Sequence, residues 1–181
     1  MPISRWKKLS EKIASANPWW EYRIDTFRLP TGTEGEYHYV YTRGASMVIP
    51  LLSDGRIVLV NQYRYLCDRE SLEFPCGGVK ENSDYLKTAA QELAEEAGFT
   101  ANDWKLLGAF NPYNGVTNEI CNVYLARHLH PVESKPDATE EFERVILTPQ
   151  EIDERIEAGV IWDGMTLAGW TLGRKKILSL A

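Results

Sequence analysis

A chain of 181 residues, 44% of them hydrophobic and 25% charged, has enough apolar material for one globular domain with a core and a small appendage, but not for two full domains. Its formal net charge of −6 argues against a broad nucleic-acid surface, which needs dense positive charge, and leaves room for a small anionic substrate accompanied by a cation. Cys67, Cys76 and Cys121 form no CxxC pair, His38, His128 and His130 show no zinc spacing with them, and no apolar run approaches a membrane span or a secretory signal, so a reducing cytoplasm is the expected compartment.

In chain order, Trp6 to Ala16 reads as a short amphipathic helix broken by Asn17-Pro18. Tyr22 to Leu29 and Tyr37 to Tyr41 read as strands joined through Pro30-Thr31-Gly32-Thr33, giving a small antiparallel unit that ends at Arg43-Gly44. The division is therefore 1–43 as an N-terminal β subdomain and 44–181 as the main domain. Met47 to Leu52 and Ile57 to Val60 flank an Asp54-Gly55 turn and predict a hairpin. A helix follows, capped by Asn82 or Ser83 with Asp84 in its first turn and ended by Gly98. Strands are expected at Trp104 to Phe110, Glu119 to Ala126 and Phe142 to Leu147. Two helices close the chain: Pro149 to Ala158, capped by Thr148, and Met165 to Leu180. Strands interleaved with a few helices favour an α/β class with layered α/β/α packing.

The helix before Gly98 carries the chemistry. Each helical residue advances by about 100°, so Glu92, Glu95 and Glu96 share one side near the carboxyl end, while Leu86, Ala90, Leu93 and Ala97 form an apolar stripe that anchors it. Three carboxylates at the negative pole of a helix repel one another and the dipole. They are either a solvated acidic face or the ligands of a cation.

Glu73-Phe74-Pro75-Cys76-Gly77-Gly78 precedes this helix, and with it the segment resembles the Nudix hydrolases, whose box reads G-x5-E-x7-R-E-U-x-E-E-x-G-U. Gly77, Glu92, Leu93, Glu95, Glu96 and Gly98 match, Phe99 stands at the last aliphatic position, and Ser83 and Gln91 depart from the first glutamate and the arginine. From about Asn17 onward the chain is similar to the ADP-ribose pyrophosphatase branch, through Asn17-Pro18-Trp19, Gln62-Tyr63-Arg64-Tyr65 and Gly159-Val160-Ile161-Trp162-Asp163. The branch's proline-containing loop has its counterpart at Asn111 to Glu119, with Asn114 in the usual proline position.

The resemblance implies a Nudix-type α/β/α sandwich with a small N-terminal antiparallel β unit. It also implies hydrolysis of the diphosphate of ADP-ribose, or of a related nucleoside diphosphate sugar, to a nucleoside monophosphate and a sugar phosphate. Magnesium, with manganese as a substitute, would be held by Glu92, Glu95, Glu96 and the Cys76 carbonyl, with Glu96 also in a catalytic role; oxygen ligands suit these ions and not zinc. Glu73 either assists the metal or is an ordinary strand residue. A catalytic base is expected from the loop of residues 134–141, with Glu141 preferred over Glu140, both also readable as solvated surface. Arg64 is either structural or a bidentate grip on substrate phosphate. Trp19 and Tyr22 either pack or stack on the nucleobase, and Glu119 is a further substrate contact. The aromatics of residues 1–43 imply a homodimer; no nucleic acid and no membrane is expected as partner. The departures at Ser83 and Gln91 keep open a nucleotide-sugar sensor or binding module on the same fold.

Overall fold

The computed structural model describes residues 3–135 and 141–180, in two compact units. The first takes the chain up to Arg43 together with Asn111–Glu119. It holds a three-stranded antiparallel sheet in the order β1 (Lys7–Ala16), β2 (Glu21–Arg28), β3 (Glu34–Tyr41). The segment expected to be a helix is therefore strand β1, paired with β2 from Lys7↔Arg28 to Ala16↔Glu21. Two register irregularities, between Lys8 and Ser10 and between Ile13 and Ser15, break the period-2 alternation. Leu9 and Ile13, four positions apart, fit one face of a helix or of a strand alike, and pairing with β2 decides for the strand.

No residue of this sheet is fully buried. Side chains on the sheet surface hold it instead: Lys8 reaches Asp25 at 2.8 Å and Glu11, Arg23 reaches Glu11 at 3.1 Å and Glu21 at 2.6 Å, and Trp6 stacks on Phe27 with centroids 4.4 Å apart. Asn17 makes the first turn by accepting from the amides of Trp19 and Trp20, each at 2.9 Å. The Asn111–Glu119 segment is tied on through Asn118, whose side chain accepts from the Thr42 amide at 2.9 Å and donates to the Thr42 carbonyl at 3.0 Å.

The second unit, Gly44–Phe110 with 120–181, contains two sheets. One runs β7 (Cys76–Gly78), β4 (Ala45–Pro50), β9 (Cys121–Pro131), β8 (Phe99–Phe110), with β4 and β9 parallel. The other runs β10 (Glu143–Leu147), β5 (Ile57–Arg64), β6 (Arg69–Glu73), all antiparallel. The expected hairpin of β4 and β5 is corrected here. The turn forms, with Gly55 at φ +84° and Leu52 donating to Arg56 at 2.8 Å, but only Leu51↔Ile57 bridges the strands before they part into different sheets. The reason is burial on both faces. Every residue of β4 and the first four of β5 are buried, and such continuous apolar runs belong to the interior of a layered fold, where β4 pairs in parallel with β9.

Alternate residues of these two strands feed two cores. Met47, Ile49, Ile57 and Leu59 join Phe74, Leu125, Ile152 and Trp170 on one side. Val48, Val58 and Val60 join Ala89, Leu93 and Ala97 on the other. Helix α1 (Tyr85–Glu95) covers the second side, while α2 (Pro149–Glu157) and α3 (Gly164–Leu178) supply side chains to the first, which is the α/β/α sandwich. Helix α3 approaches β4 at two glycines: a Cβ on Gly169 would collide with the Met47 sulfur, and one on Gly173 would lie 2.7 Å from the Ile49 Cδ1. Asp153 pins α2 to α3, accepting from Trp170 Nε1 at 2.8 Å and from Arg174 Nη2 at 2.7 Å.

Candidate active site

The short strand β7 brings the Gly-rich turn against α1. Cys76 pairs with Met47 and Gly78 with Ala45, which fixes Cys76-Gly77 on the sheet edge beside the helix. The cap of α1 is Asp84, which accepts from the Lys87 amide at 2.8 Å; Asn82 lies in the preceding turn at φ +64°, and the Ser83 hydroxyl bonds that of Thr88 at 3.2 Å. Asp84, close to the altered first box position, is thus engaged as a cap. Gly98 ends the helix segment at φ +69°, as its place after the periodic stripe predicts.

At the far end of α1 two glutamates turn towards the sheet edge. Glu96, 6% exposed, accepts from the Cys76 amide at 3.1 Å. Glu92 sits over Gly77, where a Cβ would collide with its carboxylate, so glycine is required there for space. Glu95 accepts from Gln91 Nε2 at 2.9 Å; the residue in the arginine position therefore still holds a box glutamate. The Cys76 thiol is pushed well up by its contact with the Cys121 thiol and by burial, so it remains protonated and offers no thiolate.

Among the described residues no group of three or more His, Cys, Asp or Glu side chains is gathered as a metal cluster; Glu96 is bonded to the Cys76 amide, the Glu92 carboxylate lies beside Gly77, and Glu95 accepts from Gln91. The donor set nevertheless fits a hard divalent cation. Three carboxylates lie near the negative end of a helix that has no basic residue in its last turn, and the neighbouring Cys76 thiol is held in its protonated form.

A groove of about 990 Å³ opens elsewhere on the same unit, lined by Arg64, Glu73, Glu141, Trp162 and Asp163 among others. Residues far apart in the sequence, singled out there for different reasons, share it. Arg64 donates through Nε to Glu73 at 2.7 Å and through Nη2 to the other Glu73 oxygen. Glu73 is 4% exposed and also receives Gln62 Nε2 at 3.4 Å. The Glu73 carboxylate raises the Arg64 pKa, with smaller contributions from Asp163 and Glu96. Glu141 is exposed on the groove wall just before β10; Glu140 lies outside the described residues. Trp162 donates to the Glu70 carbonyl at 3.0 Å and carries the Arg69 guanidinium 4.4 Å above its ring. In the sequence Trp162 is marked only by the motif of residues 159–163; its partners lie more than ninety residues away, and no local pattern points to them.

The other three candidates belong to the N-terminal unit. Trp19 is 78% exposed, the Tyr22 hydroxyl and His38 Nδ1 share a 2.7 Å hydrogen bond, and Glu119 accepts from the Thr42 hydroxyl at 3.0 Å. The last bond gives Glu119 a structural partner within its own unit.

The chain matches the model of the NUDIX domain over residues 40–165. It is 30% identical to the ADP-ribose pyrophosphatase of Bacillus subtilis over 145 residues, 79% of this chain and 78% of that one. It is 32% identical to the ADP-ribose pyrophosphatase of Mycobacterium tuberculosis over 152 residues, 81% of this chain and 72% of that one. The crystal structure of an ADP compounds hydrolase superposes with a TM-score of 0.85, covering 100% of this chain and 98% of its own at 18% identity, a likeness of fold. The matched span includes the glycine turn, α1 and the Arg64 groove, and on this agreement of sequence and fold the chain belongs to the Nudix hydrolase family.

Proposed function

We propose that the chain is a magnesium-dependent pyrophosphatase that cleaves the diphosphate of ADP-ribose, or of a related nucleoside diphosphate sugar, into a nucleoside monophosphate and a sugar phosphate. The observation that carries this reading is the convergence of Glu92 and Glu96 on the Cys76-Gly77 turn, in the same unit as the groove that holds Arg64. Two relatives that share about four fifths of the chain are ADP-ribose pyrophosphatases, which supports the choice of substrate class.

In this reading Glu92, Glu95, Glu96 and the Cys76 carbonyl hold magnesium, or manganese in its place, which when bound supplies charge neutralisation of the diphosphate and a lowered pKa for the attacking water. Arg64 binds the phosphate oxygens and orients the chain of atoms to be broken. Glu141, exposed on the groove wall, takes the proton from water. Gln91 keeps Glu95 turned towards its own helix face, and Gly77 keeps space for the Glu92 carboxylate.

Residues 1–43 serve as the dimerisation element and 44–181 as the catalytic domain of a homodimer. The exposed Trp6, Trp19 and Trp20 support that assignment, being apolar area suited to a partner surface, with Trp19 and Tyr22 available for base stacking. Three free cysteines suit a reducing compartment such as the cytoplasm, and no helix among the described residues is long and apolar enough to cross a membrane.

The test is a substrate panel. Purified protein with magnesium is offered ADP-ribose, GDP-mannose, UDP-glucose and dinucleoside polyphosphates, and products are read by chromatography. Cleavage of ADP-ribose or a nucleoside diphosphate sugar to a monophosphate is expected. Tight binding of one compound with cleavage of none would replace the hydrolase by a nucleotide-sugar sensor.

A further inference from the structure

Glu73 has both carboxylate oxygens occupied: one by Arg64 Nε, the other by Arg64 Nη2 and Gln62 Nε2. That distinguishes between the two roles open to it from sequence, because a carboxylate whose lone pairs already face a guanidinium is poorly placed to ligate a cation. The pair is not a local accident of neighbouring residues. Arg64 stands opposite Arg69, whereas Glu73 stands opposite Val60, so the two lie four residues apart along β5 and β6, roughly 13 Å. Gln62, Arg64 and Glu73 share one face of the sheet by its period of two. The long arginine side chain is thus drawn back along the strands to Glu73, which Gln62 also reaches.

The charge pattern of the groove shows what this restraint accomplishes. Arg64 is the single cationic residue among the described lining residues, against Glu70, Glu73, Glu141, Glu143 and Asp163. Among these lining residues an anionic ligand has one side-chain cation to meet, and the position of that cation decides where the ligand sits. With Nε and Nη2 on Glu73, Nη1 makes no hydrogen bond with any described residue and the arginine side chain remains about half exposed.

We infer that Glu73 is a positioning residue for substrate: it grips one edge of the Arg64 guanidinium so that Nη1 is presented to the diphosphate in the groove. This deepens the proposed function and rests on it for the identity of the ligand. Glu73 touches no reacting atom and holds no metal. Its effect passes wholly through Arg64, and depends on the planar fork of arginine, which lysine cannot reproduce.

Steady-state kinetics on ADP-ribose with magnesium, for the full chain and for Glu73→Gln, Arg64→Ala, Arg64→Lys and the Glu73→Gln/Arg64→Ala double variant, test this, with thermal melts as a check of folding. For Glu73→Gln, KM should rise about tenfold, the scale of one charge-assisted hydrogen bond, with kcat and the half-saturating magnesium concentration little changed. Arg64→Lys should not rescue, and the double variant should be no worse than Arg64→Ala. A second arm measures the Kd of inorganic diphosphate without metal by calorimetry and should show the same order of variants. An unchanged or lower KM in Glu73→Gln, a shifted magnesium requirement at constant KM, additive losses in the double variant, or failure of the unmodified chain to bind diphosphate would each overturn the inference. If Glu73→Gln does not fold, a wild-type KM in folded Arg64→Lys does so. Failure of ADP-ribose cleavage alone strikes the proposed function, and the diphosphate arm still decides the role of Glu73.

Discussion

The two units of this chain are held together by different physics. The sheet of β1, β2 and β3 has no fully buried residue and is stapled by ion pairs and stacked rings on its surface, whereas the unit that carries the glutamates encloses two apolar clusters around strands β4 and β5. Exposed pairs each contribute little in water and are screened by salt, while a fully buried aliphatic side chain contributes about 1.5–3 kcal/mol. The proposed chemistry lies on the cored unit, where Glu96 is kept 6% exposed on a backbone amide and Glu73 4% exposed under a guanidinium. Such burial needs a rigid surround, which a surface-stapled sheet does not provide.

Four measurements would break or sharpen this contrast. The largest effect is expected at the helix end. Glu96→Gln should lower turnover by orders of magnitude while its circular dichroism and melting remain those of the parent, and chelation of divalent ions should silence the parent until magnesium is returned. An unchanged rate would remove Glu96 from the chemistry. Next comes the core: Leu93→Ala should cost about 2–5 kcal/mol in denaturant unfolding, whereas Ile13→Ala in β1, where the side chain is half exposed, should cost about 0.5 kcal/mol. Equal losses would show that the N-terminal sheet has more support than its own residues supply.

Asp153 offers an intermediate case, a charge built into the cored unit. Arg174 holds its carboxyl below the ordinary 3.8, helped by Trp170, so its contribution is complete above that value and is lost as pH falls through the lower folded-state value. Asp153→Asn should therefore cost about 1–3 kcal/mol at neutral pH, and the difference from the parent should shrink in acid below pH 3.8. A constant difference down to pH 2 would mean that shape, not charge, holds α2 to α3. The smallest effect belongs to the surface network. Raising salt to 1 M should speed amide exchange in β1 by a few-fold and leave β4 unchanged, because Lys8, Glu11 and Arg23 are partly exposed to screening ions. Uniform protection at both salt levels would deny the surface pairs their role.

What could be read from the sequence follows the same division. Helix α1 and its glutamates were legible because a fixed spacing, a terminating Gly98 and an apolar stripe all agree. Only the cap was displaced, to Asp84, since three adjacent polar residues can each accept an amide and the turn at Asn82 decides among them. Strand β1 was illegible as a strand because its two bulges erase the alternation that announces one. The β4 and β5 pairing failed differently: buried runs have no polar face to show which neighbour they take, and β9, the partner of β4, lies some seventy residues on. The groove was legible only in pieces. Arg64 and Glu141 each stand out locally and Trp162 only within its motif, while the choice between the two roles of Glu73 is settled only once the register of β5 and β6 shows where the arginine folds back.

Gly169 and Gly173 carry a consequence for the order of folding. Glycine lowers the intrinsic helicity of α3 by about 1 kcal/mol at each position relative to alanine, and the notch these two residues leave has value only when Met47 and Ile49 are already there to fill it. If strand β4 forms first and α3 docks on it, substitutions in α3 should speed unfolding and leave the refolding rate nearly untouched in stopped-flow kinetics, and an equal slowing of refolding would place α3 in the nucleus.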